Sequence, residues 1–335
     1  MSEIRQNIIT RDWVIFAPER AKRPHEFIDR QVSISLPSYR PDCPFCRGNE
    51  SLDDTIETLR IGVPDWRVRI VHNKFPALKP KGERSLLRSG IHNSITGFGY
   101  HEVIIEHPHH DRHFALFSLD EVELILRAYL ERYRALLTDR QIETIVIFKN
   151  HGIKAGTSLE HPHSQLAGLP IVPFHFRMRF EVASEYFKEN RQCMFCVVLE
   201  NELEAKERLV LTSGHFIAFV PYAALSPFHI WIFPRRHFSC FSKIEPEELK
   251  DLAFVLQQVL AKLYWGLGNP DYNFILRSSP TAETETNYYH WYISIVPRVS
   301  RTAGFELGTG MYINTALPDK SAQFLREVEI PTNLE

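Results

Sequence analysis

Two histidines stand two residues apart in His161-Pro162-His163-Ser164-Gln165, approached through Gly156-Thr157-Ser158-Leu159-Glu160. On an extended segment that spacing puts both imidazoles on one face. One can then hold a metal while the other points at a substrate. A neutral imidazole is a good nucleophile towards phosphorus, and the phosphoryl-imidazolium it forms is a good leaving group. His163 therefore suits a reversible transfer through a covalent intermediate. Such chemistry needs donors for the phosphate oxygens. Gln165 offers an amide, Ser158 and Ser164 offer hydroxyls, and the Gly156-Thr157-Ser158 turn offers backbone N–H groups. Asn150 ends the preceding strand within reach of the same pocket, and Lys154 adds positive charge. A lone His-x-His is more often a histidine without chemistry; the Gly-Thr-Ser approach and Gln165 tip the balance here.

The cysteines supply a second chemistry. Four of the five form Cys-x-x-Cys pairs, Cys43/Cys46 and Cys193/Cys196. Such pairs in a reducing compartment point to metal or redox chemistry more than to disulfides, and 16 histidines favour metal. The candidate ligands are Cys43, Cys46, His110 and His161 in one set, and Cys193, Cys196, His237 and His290 in the other. A Cys-x-x-Cys pair bends around one ion and two distant imidazoles close the tetrahedron, which describes a filled structural zinc site. Two zinc ions per chain are expected. The plainer alternative for each pair is two buried or reactive thiols beside ordinarily hydrogen-bonded histidines; the recurrence of the arrangement favours metal. His107, His109, His113 and His229 compete for the histidine positions, and His110 is preferred because it matches His237.

The elements that must position these residues come twice. Glu102–Glu106 and Ile230–Pro234 read as strands leading to His110 and His237. Leu119–Asp139, with Ser118 as N-cap, and Glu245–Leu267 each carry a 3.6-residue apolar stripe. Strands follow at Thr144–Phe148 and Tyr272–Leu276, then the histidine strands His161–Ile171 and His290–Pro297. Matched elements lie 127 to 129 residues apart. This order implies an internal duplication, with units at residues 1–176 and 177–335 and a boundary in the charged, proline-free stretch Arg177–Arg191. Strand–helix–strand–strand units with adjacent antiparallel strands make an α+β fold. His163 has Tyr292 as its counterpart, so only one unit carries a nucleophile.

At 335 residues, 44% hydrophobic and 24% charged, the chain can bury a large core. Its net charge of −2 gives no basic field towards nucleic acid or anionic lipid. The N-terminus lacks a signal-peptide pattern and no apolar run reaches membrane-spanning length, so cytoplasm is the expected compartment. A zinc-knuckle module binding nucleic acid would need a basic face with interleaved aromatics; the balanced charge counts against it.

His161-Pro162-His163-Ser164-Gln165 resembles the histidine–proline–histidine–x–glutamine motif of the galactose-1-phosphate uridylyltransferase family, the transferase branch of the histidine-triad superfamily. The resemblance runs almost end to end. It takes in Arg20-Ala21-Lys22-Arg23-Pro24, Cys43-Pro44-Phe45-Cys46, Asn73-Lys74-Phe75-Pro76-Ala77-Leu78 and the segment Ala303–Asn314. It implies two fused histidine-triad-like domains, each a half-barrel of mainly antiparallel strands with a packed helix, assembled as a homodimer. It also implies a ping-pong reaction in which His163 takes a nucleotidyl group from a nucleoside-diphosphate sugar and releases sugar 1-phosphate. By the same resemblance Gln165, Ser158 and Asn150 hold the phosphates, beside the backbone of Gly156 and Thr157 in the turn. Asn73 and Phe75 meet the nucleoside, and Gly304, Phe305 and Glu306 the hexose. UDP-glucose:hexose-1-phosphate uridylyl transfer is the leading expectation, with an ADP-sugar or dinucleotide phosphorylase as the alternative. Tyr292 departs from typical uridylyltransferases, which have a second histidine there, and agrees with plant ADP-glucose phosphorylases. Ser164 stands where many uridylyltransferases have glycine.

Overall fold

The repeat reappears as strand order in the computed structural model, which describes residues 2–17, 19, 27, 36–52, 55–62 and 64–331. The Arg20–Pro24 motif lies outside the described residues. The chain opens with a hairpin, β1 (Glu3–Gln6) and β2 (Trp13–Phe16). The first unit continues with β3 (Glu57–Ile61), β4 (Val68–His72) and an exposed hairpin of β5 (Leu86–Ser89) and β6 (His92–Ile95). It ends with β7 (Tyr100–Ile105), α1 (Leu119–Leu137), β8 (Thr144–His151) and β9 (His163–Leu169). Helices α2 (Phe174–Asn190) and α3 (Met194–Ala205) lead into the second unit, so the stretch Arg177–Arg191 is largely helical. There follow β10 (Leu209–Thr212), β11 (Phe216–Phe219), β12 (Ile230–Pro234), α4 (Pro246–Leu267), β13 (Tyr272–Arg277) and β14 (Tyr292–Pro297). A short α5 (Gly304–Thr309), β15 (Tyr312–Asn314) and α6 (Pro318–Glu327) close the described chain.

Ten strands form one sheet in the order β3-β4-β7-β9-β8-β13-β14-β12-β11-β10. All neighbours are antiparallel. Reading inwards from either edge gives the same sequence of elements, and the two units meet at β8 and β13, where Asn150 faces Asn273 and Phe148 faces Ile275. The sheet does not close into a barrel. β15 adds in parallel to β2, so the N-terminal hairpin anchors the segment that carries α5.

Alternation along the strands decides what each face meets. On one face Ile104, Ile147, Leu166, Phe274 and Ile293 pack against Ile125, Leu126 and Tyr129 of α1 and Leu252, Val255 and Val259 of α4. Each fully buried aliphatic side chain of this kind contributes about 1.5–3 kcal/mol. α1 starts where it does because Ser118 and Glu121 close a capping box. α4 starts at Pro246 and stops at Gly268, whose φ of 71° suits the left-handed cap. On the other face the Cys43–Cys46 loop covers Val71, Val103 and Ile105. There α2 and α3 cover Phe219, Trp231, Phe233 and Tyr292. Between these two covers, Val146, Phe148, Asn150, Asn273, Ile275 and Val296 line a cavity of about 350 Å³. Among the described residues no helix is long and apolar enough to cross a membrane.

Candidate active site and metal centres

Cys43, Cys46, His110 and His161 come together and are all buried. His161 Nδ1 lies 3.7 Å from both sulfurs, and His110 Nδ1 lies 3.6 Å from Cys46 Sγ. A tetrahedral ion with bonds of about 2.3 Å to sulfur and about 2.0 Å to nitrogen separates such donors by roughly 3.5 Å. The surroundings fit as well. His161 Nε2 donates to the His107 carbonyl oxygen at 2.7 Å, which leaves the Nδ1 lone pair aimed at the sulfurs. Arg40 N–H donates to Cys46 Sγ, and the Asn49 amide ties the Cys43 and Arg40 carbonyls. Burial pushes the Cys43 thiol up to about 11 and holds His161 down near 3, so the imidazole is neutral and a bound cation would be what draws the proton from Cys43.

The second group is incomplete. Cys193, Cys196 and His237 converge, with His237 Nδ1 3.3 Å from Cys196 Sγ and its Nε2 3.2 Å from the Thr286 oxygen. The hydrogen bond from Cys196 holds Cys193 down near 5 and drives Cys196 upwards. His290, the expected fourth ligand, lies next to this group and is not gathered into it. Its ring packs 5.4 Å from that of His237, but Nδ1 faces the Trp291 carbonyl at 3.1 Å and Nε2 is buried without a partner.

His163 opens β9, whereas His161 lies just before the strand. The two still share a side, because the Phe45 ring sits 6.0 Å from His161 and 5.6 Å from His163. His163 Nδ1 donates to the His161 carbonyl at 2.8 Å, so Nε2 carries the lone pair. Burial lowers its pKa and keeps the ring neutral. Gln165, two residues on, faces the same way. Its Oε1 lies 2.8 Å from His101 Nε2.

The other expected phosphate partners divide. Phe148 pairs with Gln165 across β8 and β9, and Asn150 continues that face two residues further on. Asn273 Nδ2 donates to Asn150 Oδ1 at 2.8 Å and to the Ala155 oxygen at 2.9 Å, which ties the 152–160 loop to Asn150. Gly156 ends a short helical turn at φ 88°. Ser158 is exposed on the loop, whereas the Thr157 hydroxyl is engaged by the Leu159 oxygen. Lys154 N–H donates to Asp271 Oδ2 at 2.6 Å. Ser164 is a correction: it points to the helix-covered face, fully buried, where its hydroxyl donates to Glu106. The alternation that aims His163 and Gln165 at the open face aims Ser164 away from it.

Asn73 Nδ2 lies 3.3 Å from His101 Nε2, and Phe75 is 85% exposed beside it, with its N–H on Asn73 Oδ1. Glu306 lines the same cavity as Asn150, together with Arg298 and Arg301. Gly304 and Phe305 precede it on α5, and Phe305 is exposed.

A buried polar cluster behind His163 was not anticipated. Lys149 Nζ donates to Glu106 Oε2 at 2.5 Å and to the His163 oxygen at 3.0 Å, and Tyr129 and Ser164 share Glu106 Oε1. The signal available was charge inside apolar strands, Lys149 after Ile145-Val146-Ile147-Phe148 and Glu106 after Val103-Ile104-Ile105.

A neutral buried imidazole beside amide groups, on a duplicated α+β scaffold with a Cys/His cluster, is equipped for covalent transfer of a phosphorus-bearing group. Residues 1–173 match the N-terminal domain of galactose-1-phosphate uridyl transferase and residues 179–307 its C-terminal domain. The chain belongs to the galactose-1-phosphate uridylyltransferase family. The ADP-glucose phosphorylase of Arabidopsis thaliana is 37% identical over 98% of this chain and 93% of its own. The galactose-1-phosphate uridylyltransferase of Thermotoga maritima is 28% identical over 98% and 99%. The crystal structure of the Arabidopsis ADP-glucose phosphorylase with bound ADP-glucose superposes with a TM-score of 0.83 at 34% identity, covering 99% of this chain and all of that one. A uridylyltransferase structure gives 0.75 at 26% identity, covering 97% of each.

Proposed function

We propose that the chain transfers a nucleotidyl group from a nucleoside-diphosphate sugar by way of a covalent nucleotidyl-His163. Nε2 of His163 attacks the α-phosphorus, and the bond from phosphorus to the bridging oxygen breaks, releasing sugar 1-phosphate. A second phosphate-bearing acceptor then takes the nucleotidyl group and frees the imidazole. The observation that carries this reading is the His163 Nδ1 hydrogen bond to the His161 carbonyl, which leaves Nε2 as a neutral nucleophile. The Nε2 amide of Gln165, the Asn150 amide and the 156–158 turn, with Ser158, are the donors for the phosphate oxygens. Asn73 and the exposed Phe75 ring serve the nucleoside, and the Gly304-Phe305-Glu306 segment the hexose.

Uridylyl transfer from UDP-glucose to a hexose 1-phosphate follows the family. An ADP-sugar phosphorylase is favoured by the 37% identity to the Arabidopsis ADP-glucose phosphorylase against 28% to the Thermotoga uridylyltransferase. Radiolabelled UDP-glucose and ADP-glucose offered side by side decide between them. Label should remain on wild-type protein with one donor and vanish in His163→Ala. A wild-type chain that traps neither label sinks the proposal.

The Cys43/Cys46/His110/His161 set is proposed to hold structural zinc, which supplies no reacting group and keeps His161 in place. A second zinc is assigned to Cys193, Cys196 and His237, with His290 beside them. The units are placed at 1–176 and 177–335, close to the bounds of the two matched domains. A homodimer in the cytoplasm completes the reading; light scattering tests its first part.

A further inference from the structure

His101 belongs to none of the roles above, yet its imidazole touches both halves of the proposed nucleotide site. Resting on the nucleotidyl-transfer reading, we propose that His101 is a positioning residue that fixes which end of the Gln165 amide faces the phosphate and couples it to the nucleoside loop 73–77.

The assignment follows from donors and acceptors. The backbone N–H of Ala77 donates to His101 Nδ1 at 3.1 Å. A ring nitrogen that accepts has no proton, so in the neutral ring the proton is on Nε2. That Nε2–H faces Gln165 Oε1 at 2.8 Å and donates to it. The amide of Gln165 is thereby polarised one way: its oxygen is taken, and its NH₂ is left for a phosphate oxygen. A Gln165 turned the other way would set its NH₂ against the N–H of His101.

The same proton settles Asn73. Its Nδ2 lies 3.3 Å from His101 Nε2, but both atoms carry hydrogens, so the approach is a contact between donors and not a hydrogen bond. Asn73 Oδ1 already accepts from Phe75 N–H at 2.8 Å, and Asn73 N–H donates to the His101 oxygen at 2.8 Å. The Asn73 amide nitrogen therefore also stands as an unused donor. One imidazole, protonated on one nitrogen, leaves two amides presenting NH₂ groups. It also ties the loop to the strand through Ala77 and Asn73. Loop placement and amide polarity then change together.

The test is a double-mutant cycle of His101→Phe and Gln165→Ala, read as the single-turnover rate of label transfer from UDP-glucose or ADP-glucose to the protein. Loss of one aimed donor to a developing negative charge costs roughly 100- to 1000-fold in rate, and misorientation of that donor should cost about 10- to 100-fold. His101→Phe is expected to lose that much with its melting temperature unchanged. In the Gln165→Ala background it is expected to lose little further, because the residue it positions is gone. If His101→Phe does not fold, His101→Leu takes its place in the cycle. A His101 variant that transfers label at the wild-type rate, or losses that multiply independently, overturns the proposal. A wild-type chain that traps no label overturns it together with the transferase reading; where the wild type does take label, a failed cycle overturns the His101 role alone.

Discussion

The main-chain oxygen of His161 accepts the Nδ1–H of His163 at 2.8 Å, while the His161 ring faces two sulfurs at 3.7 Å. One residue thus reaches the proposed metal centre with its side chain and orients the proposed nucleophile with its backbone. A disturbance of the Cys/His centre is therefore transmitted to the reacting nitrogen by two covalently linked groups.

Elemental analysis should find about two zinc ions per chain. Cys43→Ser should remove one of them and lower label trapping and thermal stability together, since the His161 carbonyl loses its anchor. A Cys43→Ser protein that keeps both ions and full activity would refute the assignment of the first site.

Lys149 and Glu106 are buried at 2% and 0% side-chain exposure and 2.5 Å apart. Lys149→Met leaves the Glu106 carboxylate without its cation, which costs about 3–5 kcal/mol where a buried pair is broken from one side. Urea denaturation measures this. A loss below about 1 kcal/mol would show that Tyr129 and Ser164 satisfy Glu106 unaided.

Gly152 sits at φ 82°, and a Cβ there would stand 2.0 Å from Asp271 Oδ1, a carboxylate held by the Lys154 N–H. Gly152→Ala should displace the 152–160 loop and weaken donor binding, seen as a raised KM with the metal content unchanged. The strain itself is about 1–3 kcal/mol.

Glu121 caps α1 and meets His107 Nε2 at 3.2 Å, and the carbonyl of the same His107 receives His161 Nε2. Its hydrogen bond to His107, followed by those to Ser118, depresses its pKa from 4.5 to about 2 against the opposing cost of burial. The folded value lies below the unfolded one, so this stabilisation is full above about pH 5 and is lost as pH falls from 4.5 towards 2. Glu121→Gln should be less stable than wild type at neutral pH, and the gap should narrow on acidification. A gap that stays constant down to the acid limit would remove the carboxylate from the account.

Much of this was legible in the chain because it rested on period and repetition. The apolar stripes of α1 and α4, the Cys-x-x-Cys pairs and the His161/His163 alternation each leave a local pattern. Tertiary choices left none. That Ser164 belongs to the helix face follows from strand register, and that His290 turns its Nδ1 to Trp291 follows from ring rotation. His101 escaped notice because its significance lies in which nitrogen meets Ala77, 24 residues away in the reverse direction along the chain. Lys149 and Glu106 become meaningful only once β7, β8 and β9 lie side by side.

The seam between β8 and β13 has an implication for how the chain could be divided. β8 is an eight-residue strand in the middle of the ten-stranded sheet. Severed after β9, the first unit would retain every histidine and cysteine of its own site but would present β8 as a bare edge, its N–H and C=O groups open to any other strand. Such an edge is a template for polymerisation or strand swapping. The unit without a nucleophile is, in that sense, a built-in chaperone for the one that has it.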